Sequence, residues 1–253
     1  MTAFLLKIIA CISMLIDHTA YVFEPQLTAI SPWLYVGCRM AGRLAFPLFA
    51  MGVAEGAART SSPKKYISRM FLFAIIAQIP FSLMLGLHSP SFSFELFGRT
   101  IGVHAEFSVM VTLFLGLVIC SGIHDGKHLG AAAALITACF IDAAVGMDYG
   151  ITGVLLVVGL YLARSSKPMR LLVLLLFSAV LYISPLKELL KQVVVGTGPI
   201  VITRGPLYFA ATLVSGLLML AYTGRKGRSA KAFFYLFYPV HMLLLFAARL
   251  ILV

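Results

Sequence analysis

The chain has 253 residues, 61% of them hydrophobic and 11% charged, with a mean hydropathy of +1.00. A soluble domain carries about a quarter charged residues, so these proportions exclude a soluble globular protein and predict an all-α, polytopic bundle of transmembrane helices forming a single domain over 1–253. The formal charge of +11 would suggest nucleic acid in a soluble chain, but here the basic residues collect in alternate loops, and no nucleic-acid partner is expected.

A helix needs roughly 20 apolar residues to cross a bilayer, and on that measure about nine spans are expected. In chain order they are 4–23, 32–56, 66–87, 103–122, 129–145, 149–163, 169–186, 205–222 and 232–252. The first is long enough to span and carries Asp17 and His18 near its far end in place of a small-residue cleavage site, so no cleavable signal peptide is expected. The fifth and sixth are short, and 188–204 reads either as an extracytoplasmic loop or as a re-entrant segment. Cys11, Cys38, Cys120 and Cys139 all fall in apolar runs, where cysteine behaves as a small hydrophobe and no disulfide is expected.

Orientation follows from the short loops. The even-numbered connections carry ARTSSPKKYISR, GIHDGKHLG, LARSSKPMR and TGRKGRSAK. About twelve basic residues lie in these and about four in the odd-numbered ones, which predicts a cytoplasmic N-terminus and a C-terminus outside.

With orientation assigned, depth follows at about 1.5 Å per residue. His18 comes about 20 Å from the cytoplasmic end of the first span, Arg39 and Arg43 about 10 and 16 Å below the outer surface, and Gln78 and His241 about 18 and 15 Å up from the inner one. Together with Asp17 they occupy one layer from the midplane outward, which predicts a shared polar cavity. An intramembrane carboxylate needs a counter-ion, and Asp17 is expected to pair with Arg39 or Arg43. These arginines stand four apart on one helix face, with Gly37 and Gly42 allowing a close helix approach. Two arginines against one aspartate leave a surplus positive charge that an anionic ligand or a developing oxyanion would offset. For His18 and His241 a structural hydrogen-bonding role stands beside a catalytic one, and Gln78 is read as satisfying another buried group. Glu55 is expected to face headgroups. Glu106, His104, Asp142, Asp148 and Tyr149 mark outer helix ends, in contact with solvent or with an acceptor. No phosphate-binding loop, dinucleotide fingerprint, nucleophile elbow or zinc-spaced set is found in the sequence, and no metal is expected.

LIDH in the first span, AGRLAFPLFAMGVAEG in the second, IIAQIPF in the third, then DYGITGVLL and the terminal FYLFYPVH together resemble the TraX family over nearly the whole chain. The resemblance implies an integral protein of the bacterial inner membrane that acetylates the N-terminus of pilin. A weaker similarity of layout links it to larger membrane acyltransferases acting on surface sugars, which leaves the acceptor open between a protein amine and a glycan hydroxyl. On this reading acetyl-CoA is the co-substrate. Its phosphates would dock on Lys64, Lys65 and Arg69, or on Arg225, Lys226, Arg228 and Lys231, although positive-inside topology alone also accounts for both clusters. His18 would act as general base or transient acetyl carrier, and Arg39 or Arg43 would stabilise the oxyanion. A transporter or proton-coupled permease built on the same polar layer, and a scaffold for an envelope assembly, are the readings from other classes. The absence of internal symmetry in the sequence counts against the transporter.

Overall fold

The computed structural model describes residues 1–96, 98–195 and 203–252. Among these are twelve helices and one two-stranded hairpin: α1 (Ala3–Val22), α2 (Glu24–Ile30), α3 (Pro32–Gly42), α4 (Ala45–Arg59), α5 (Pro63–Gly86), β1 (Phe92–Leu96), β2 (Arg99–Val103), α6 (Val109–His124), α7 (His128–Ala144), α8 (Gly150–Leu162), α9 (Lys167–Leu181), α10 (Ile183–Val195), α11 (Arg204–Leu220) and α12 (Lys231–Leu252). By length and composition α1, α5 and α12 can each cross a membrane alone, and α9 with α10 passes the same test as a pair bent by 79°. The helices α6, α7, α8 and α11 are apolar but shorter.

Two of the expected spans are broken by proline. A proline ring clashes with the carbonyl four residues earlier and supplies no N–H. Pro47 therefore ends the helix at Arg43, where the Arg43 and Leu44 N–H groups turn to Met40 and Ala41 in tighter i→i+3 bonds. The span 32–56 is thus α3 and α4. Pro185 stands in the same relation to Leu181, and 169–186 bends at Tyr182 into α10. Residues 183–195 are helical, so the first part of 188–204 is a helix; 196–202 lie outside the described residues. A third difference is at 103–122, whose first residue, Val103, ends the hairpin. Phe92 pairs with Val103 and Leu96 with Arg99 in antiparallel register, and the helix starts only at Val109.

The chain divides into two compact units, Met1–Phe49 with Leu162–Arg228, and Ala50–Tyr161 with Ser229–Val253. In the first, α3 packs on α1, α2 and α11, and α11 on α9 and α10. Side-chain removal permits two of these approaches: a Cβ at Gly42 would overlap the Asp17 side chain, and one at Gly205 the Pro185 ring. The N-terminus is stitched to the loop after α11. Ala3 and Phe4 donate their first-turn N–H groups to the Arg225 and Lys226 carbonyls at 2.8 and 3.1 Å, Thr223 donates to the Met1 carbonyl at 2.9 Å, and the terminal ammonium reaches Ala221.

In the second unit α5 packs on α12, α6 and β2, with Gly86 against the Gly102 backbone so closely that neither position has room for a Cβ. An apolar core joins α6, α7 and α8 through Leu115, Ile119, Ala131, Ala138 and Val154.

Candidate functional site

Asp17 is 8% exposed on α1 and is held by both arginines of α3. Arg39 Nη1 lies 2.9 Å from Asp17 Oδ2 and also donates to the Asp17 carbonyl at 3.4 Å. Arg43 Nη2 donates to both carboxylate oxygens at 3.2 Å. Tyr21, one helical turn beyond Asp17, faces Arg39, so α1 and α3 run antiparallel with the charges in register. The expected single counter-ion is therefore a two-arginine clamp.

The two guanidinium groups are not equivalent. Arg43 is anchored on several sides, since its Nε also donates to the Arg39 carbonyl at 3.2 Å and its plane lies 5.4 Å from the Tyr208 ring centre. Arg39 spends only Nη1 on Asp17, and its guanidinium sits 5.5 Å from the Tyr21 ring. Among the described residues, its Nε and Nη2 donors meet no hydrogen-bond acceptor. His18 follows Asp17 on α1 and is half-buried.

Sequence reasoning missed the aromatic partners and a third arginine. Arg204, the first residue of α11, lies 5.3 Å from the Tyr35 ring of α3, while Arg43 of α3 lies over Tyr208 of α11. The two helices thus exchange guanidinium–tyrosine contacts in both directions, each worth about 0.5–2 kcal/mol according to its exposure. Tyr35 in turn bonds the Glu24 carboxylate. The cluster holds three arginines against Asp17 and Glu24, and remains net positive. The spacing of Arg204 and Tyr208, four apart like Arg39 and Arg43, was the available signal.

Gln78 and His241 belong to the second unit. The Gln78 amide bridges the entry to α6: Nε2 donates to the Glu106 carbonyl at 2.8 Å and Oε1 accepts from the Ser108 N–H at 3.0 Å. It thereby ties α5 to the backbone that leads into α6. His241 is 5% exposed, with Nδ1 2.6 Å from the Phe237 carbonyl and its ring stacked on Phe237 at 4.7 Å. Glu55 departs from expectation. It is 9% exposed and pairs with Arg59 at 2.7 Å, so it faces the protein and not headgroups.

The basic clusters divide likewise. Lys64, Lys65 and Arg69 open α5 in the second unit, where Arg69 donates to the Tyr235 hydroxyl of α12 and the two lysines are exposed. Arg225, Lys226 and Arg228 are exposed in the first unit, on the loop whose carbonyls cap α1. The α1 N–H groups are consumed by that cap, so a phosphate here would be bound by side chains alone. Lys231 begins α12.

The sequence model of the family described as "TraX protein" matches residues 3–249. The chain belongs to the TraX family. A relative in Dichelobacter nodosus, named as a probable fimbrial assembly protein FimC of serogroup H1, is 28% identical over 256 residues, covering 99% of this chain and 97% of the relative. No solved structure matches. With its long apolar helices, this TraX-family chain is a membrane protein. LIDH and the AGR of the second motif supply Asp17 and Arg43 of the clamp in the first unit, with Arg39 just before that motif; IIAQIPF, DYG and FYPVH lie in the second.

Proposed function

We propose that the chain is an integral-membrane acetyltransferase of the bacterial inner membrane, moving an acetyl group from cytoplasmic acetyl-CoA to an amine or hydroxyl acceptor, with a pilin subunit as the preferred acceptor. The family and the fimbrial name of the relative support the acceptor class. The observation that carries the chemistry is the asymmetric clamp: Arg43 and Asp17 fix the geometry, and Arg39 keeps donors uncommitted next to the turn that bears His18.

Attack of the acceptor on the thioester carbonyl forms the new bond to carbon and puts negative charge on the carbonyl oxygen. Arg39, pre-set by Asp17, stabilises that charge, an effect worth about 3–4 kcal/mol for a well-placed donor. His18 takes the acceptor's proton, the C–S bond breaks, and coenzyme A leaves as thiol. The loop at 225–228 meets the start of α1, and His18 lies about 22 Å further along that helix. The phosphates would bind Arg225, Lys226 and Arg228 while the pantetheine arm runs along α1.

The test is mass spectrometry of ligand released from purified protein, with transfer from labelled acetyl-CoA to a fimbrial peptide. Retained coenzyme A together with labelled peptide supports the reading. A protein that neither retains coenzyme A nor labels any acceptor defeats it in favour of a scaffold or a transporter.

A further inference from the structure

Helix α10 reads ISPLKELLKQVVV, and its residue types separate around the helix. At about 100° per residue, Ile183, Leu186, Leu189, Leu190, Val193 and Val194 share one arc, and Lys187, Glu188, Lys191 and Gln192 the opposite one. The protein uses only part of the apolar arc. Helix α10 packs on α9 and α11, with Pro185 against Gly205, and Leu186 and Leu189 are half-buried. Ile183, Leu190, Val193 and Val194 remain 47–73% exposed.

The cover for that strip follows from where it starts. Helix α9 exposes Leu172, Leu176 and Val180, each one turn from the next; on an apolar helix of a membrane protein such a strip faces acyl chains. Ile183 comes three residues after Val180 and continues it onto α10. There the chain bends by 79°. The 13 residues of α10 make about 20 Å of helix, of which the bend leaves roughly 4 Å along the α9 axis. Helix α10 therefore runs across the end of α9 and adds little to its depth.

The charges fit the same placement. Lys187 and Lys191 are exposed, four apart, on the border of the apolar arc, where their long stems can follow the apolar face while the ammonium groups reach lipid phosphates. A re-entrant path would instead carry both lysines and Glu188 into hydrocarbon, which is costly. A second marker lies at this end of the first unit. Gly205, on which Pro185 sits, adjoins Arg204, whose guanidinium is 5.3 Å from the Tyr35 ring. Two residues before Tyr35, Trp33 is 72% exposed, and tryptophan favours the headgroup level.

We propose that α10 is an interfacial helix, with Ile183, Leu190 and Val194 among the acyl chains and Lys187 and Lys191 on the phosphates of a phospholipid surface. By the loop charges this is the outer leaflet. The inference does not depend on the acetyltransferase reading. Through Pro185 and Gly205 the helix would fix the level of the α11 end that carries Arg204.

The experiment measures depth by fluorescence. Trp33→Phe removes the chain's one tryptophan, and Leu190→Trp, Val194→Trp, Glu188→Trp or Lys191→Trp is then added singly. All four positions are exposed, so each variant should melt with the Trp33→Phe protein. Each is reconstituted in vesicles of phosphatidylcholine and phosphatidylglycerol carrying bromines near the headgroup or near the chain terminus, a headgroup nitroxide, or iodide in the water. Leu190→Trp and Val194→Trp should be quenched at least about twofold more by the shallow bromine than by the deep one, as expected for an apolar face about 5–10 Å below the headgroup boundary. Lys191→Trp should respond most to the nitroxide, and Glu188→Trp to iodide. Stronger deep quenching at Leu190→Trp and Val194→Trp would make α10 re-entrant. Equal iodide quenching of Leu190→Trp and Glu188→Trp would put the strip in water, open to a soluble partner. Shielding of Leu190→Trp and Val194→Trp from every quencher would bury it against a second copy. Any of the three overturns the proposal.

Discussion

Gly42 lies directly against the Asp17 side chain, with no room for even a methyl group between them. This contact sets how closely α1 and α3 approach, and hence whether both arginines reach one carboxylate.

Gly42→Ala should therefore lower stability by about 1–3 kcal/mol, the range for overpacking a close contact. Gly37, on the same helix, has nothing within 4 Å of an added Cβ, and Gly37→Ala should be neutral or gain about 0.5–1 kcal/mol from helix propensity. Melting both variants in the same detergent checks this. Equal melting temperatures would show that the approach at Gly42 is not tight.

Arg39 and Arg43 should respond differently to lysine. Arg43→Lys removes the two-oxygen contact to Asp17 and the bond to the Arg39 carbonyl, and should lower melting temperature with acetyl transfer falling in step with folded protein. Arg39→Lys retains a cation for Asp17 but loses the uncommitted donors, so transfer should slow by about 10²–10³-fold with little change in melting temperature. The reverse pattern would assign the chemistry to Arg43.

His18→Ala should fold, retain coenzyme A, and transfer acetyl at least about a hundredfold more slowly, the usual size of a lost general base. His241→Ala is the contrast, because its ring is buried, stacked and tied to its own helix. It should lose stability by about 1–3 kcal/mol from the vacated volume and the lost hydrogen bond, with a smaller loss of rate per folded molecule. A stable His18→Ala protein at wild-type rate ends the catalytic assignment.

The loop charges predict Lys64, Lys65, Arg225, Lys226 and Arg228 on the cytoplasmic side and Val253 outside. Reporter fusions after residue 253 check this directly. A cytoplasmic reporter signal would require an even number of crossings and remove the nine-span count.

The Asp17–arginine pairing was legible because an intramembrane charge demands a partner and helical rise sets depth. Both helix breaks were also written in the chain, at Pro47 and Pro185, but a hydropathy window of span length averages across them. The same window hides strands of five residues, although Phe92, Phe94 and Leu96 alternate as a strand should. Arg204 was missed for a different reason. It lies at the edge of an ambiguous stretch, and although its i,i+4 spacing from Tyr208 is a local signal, its contact with Tyr35 crosses most of the sequence.

The interleaved order of the two units governs how the clamp forms during synthesis. Asp17 is 22 and 26 residues from its arginine partners, so α1 and α3 can pair both arginines with Asp17 as a hairpin as soon as both have emerged, one positive charge staying in surplus. An arginine-bearing helix can then enter the bilayer without waiting for the rest of the bundle. Tyr208, which flanks Arg43, is translated roughly 165 residues later, about 10–30 s at ordinary elongation rates. During that interval the charges are paired but one side of Arg43 is uncovered. A truncated chain ending before α11 should therefore insert with both arginines on Asp17, while Arg43 lacks its tyrosine cover.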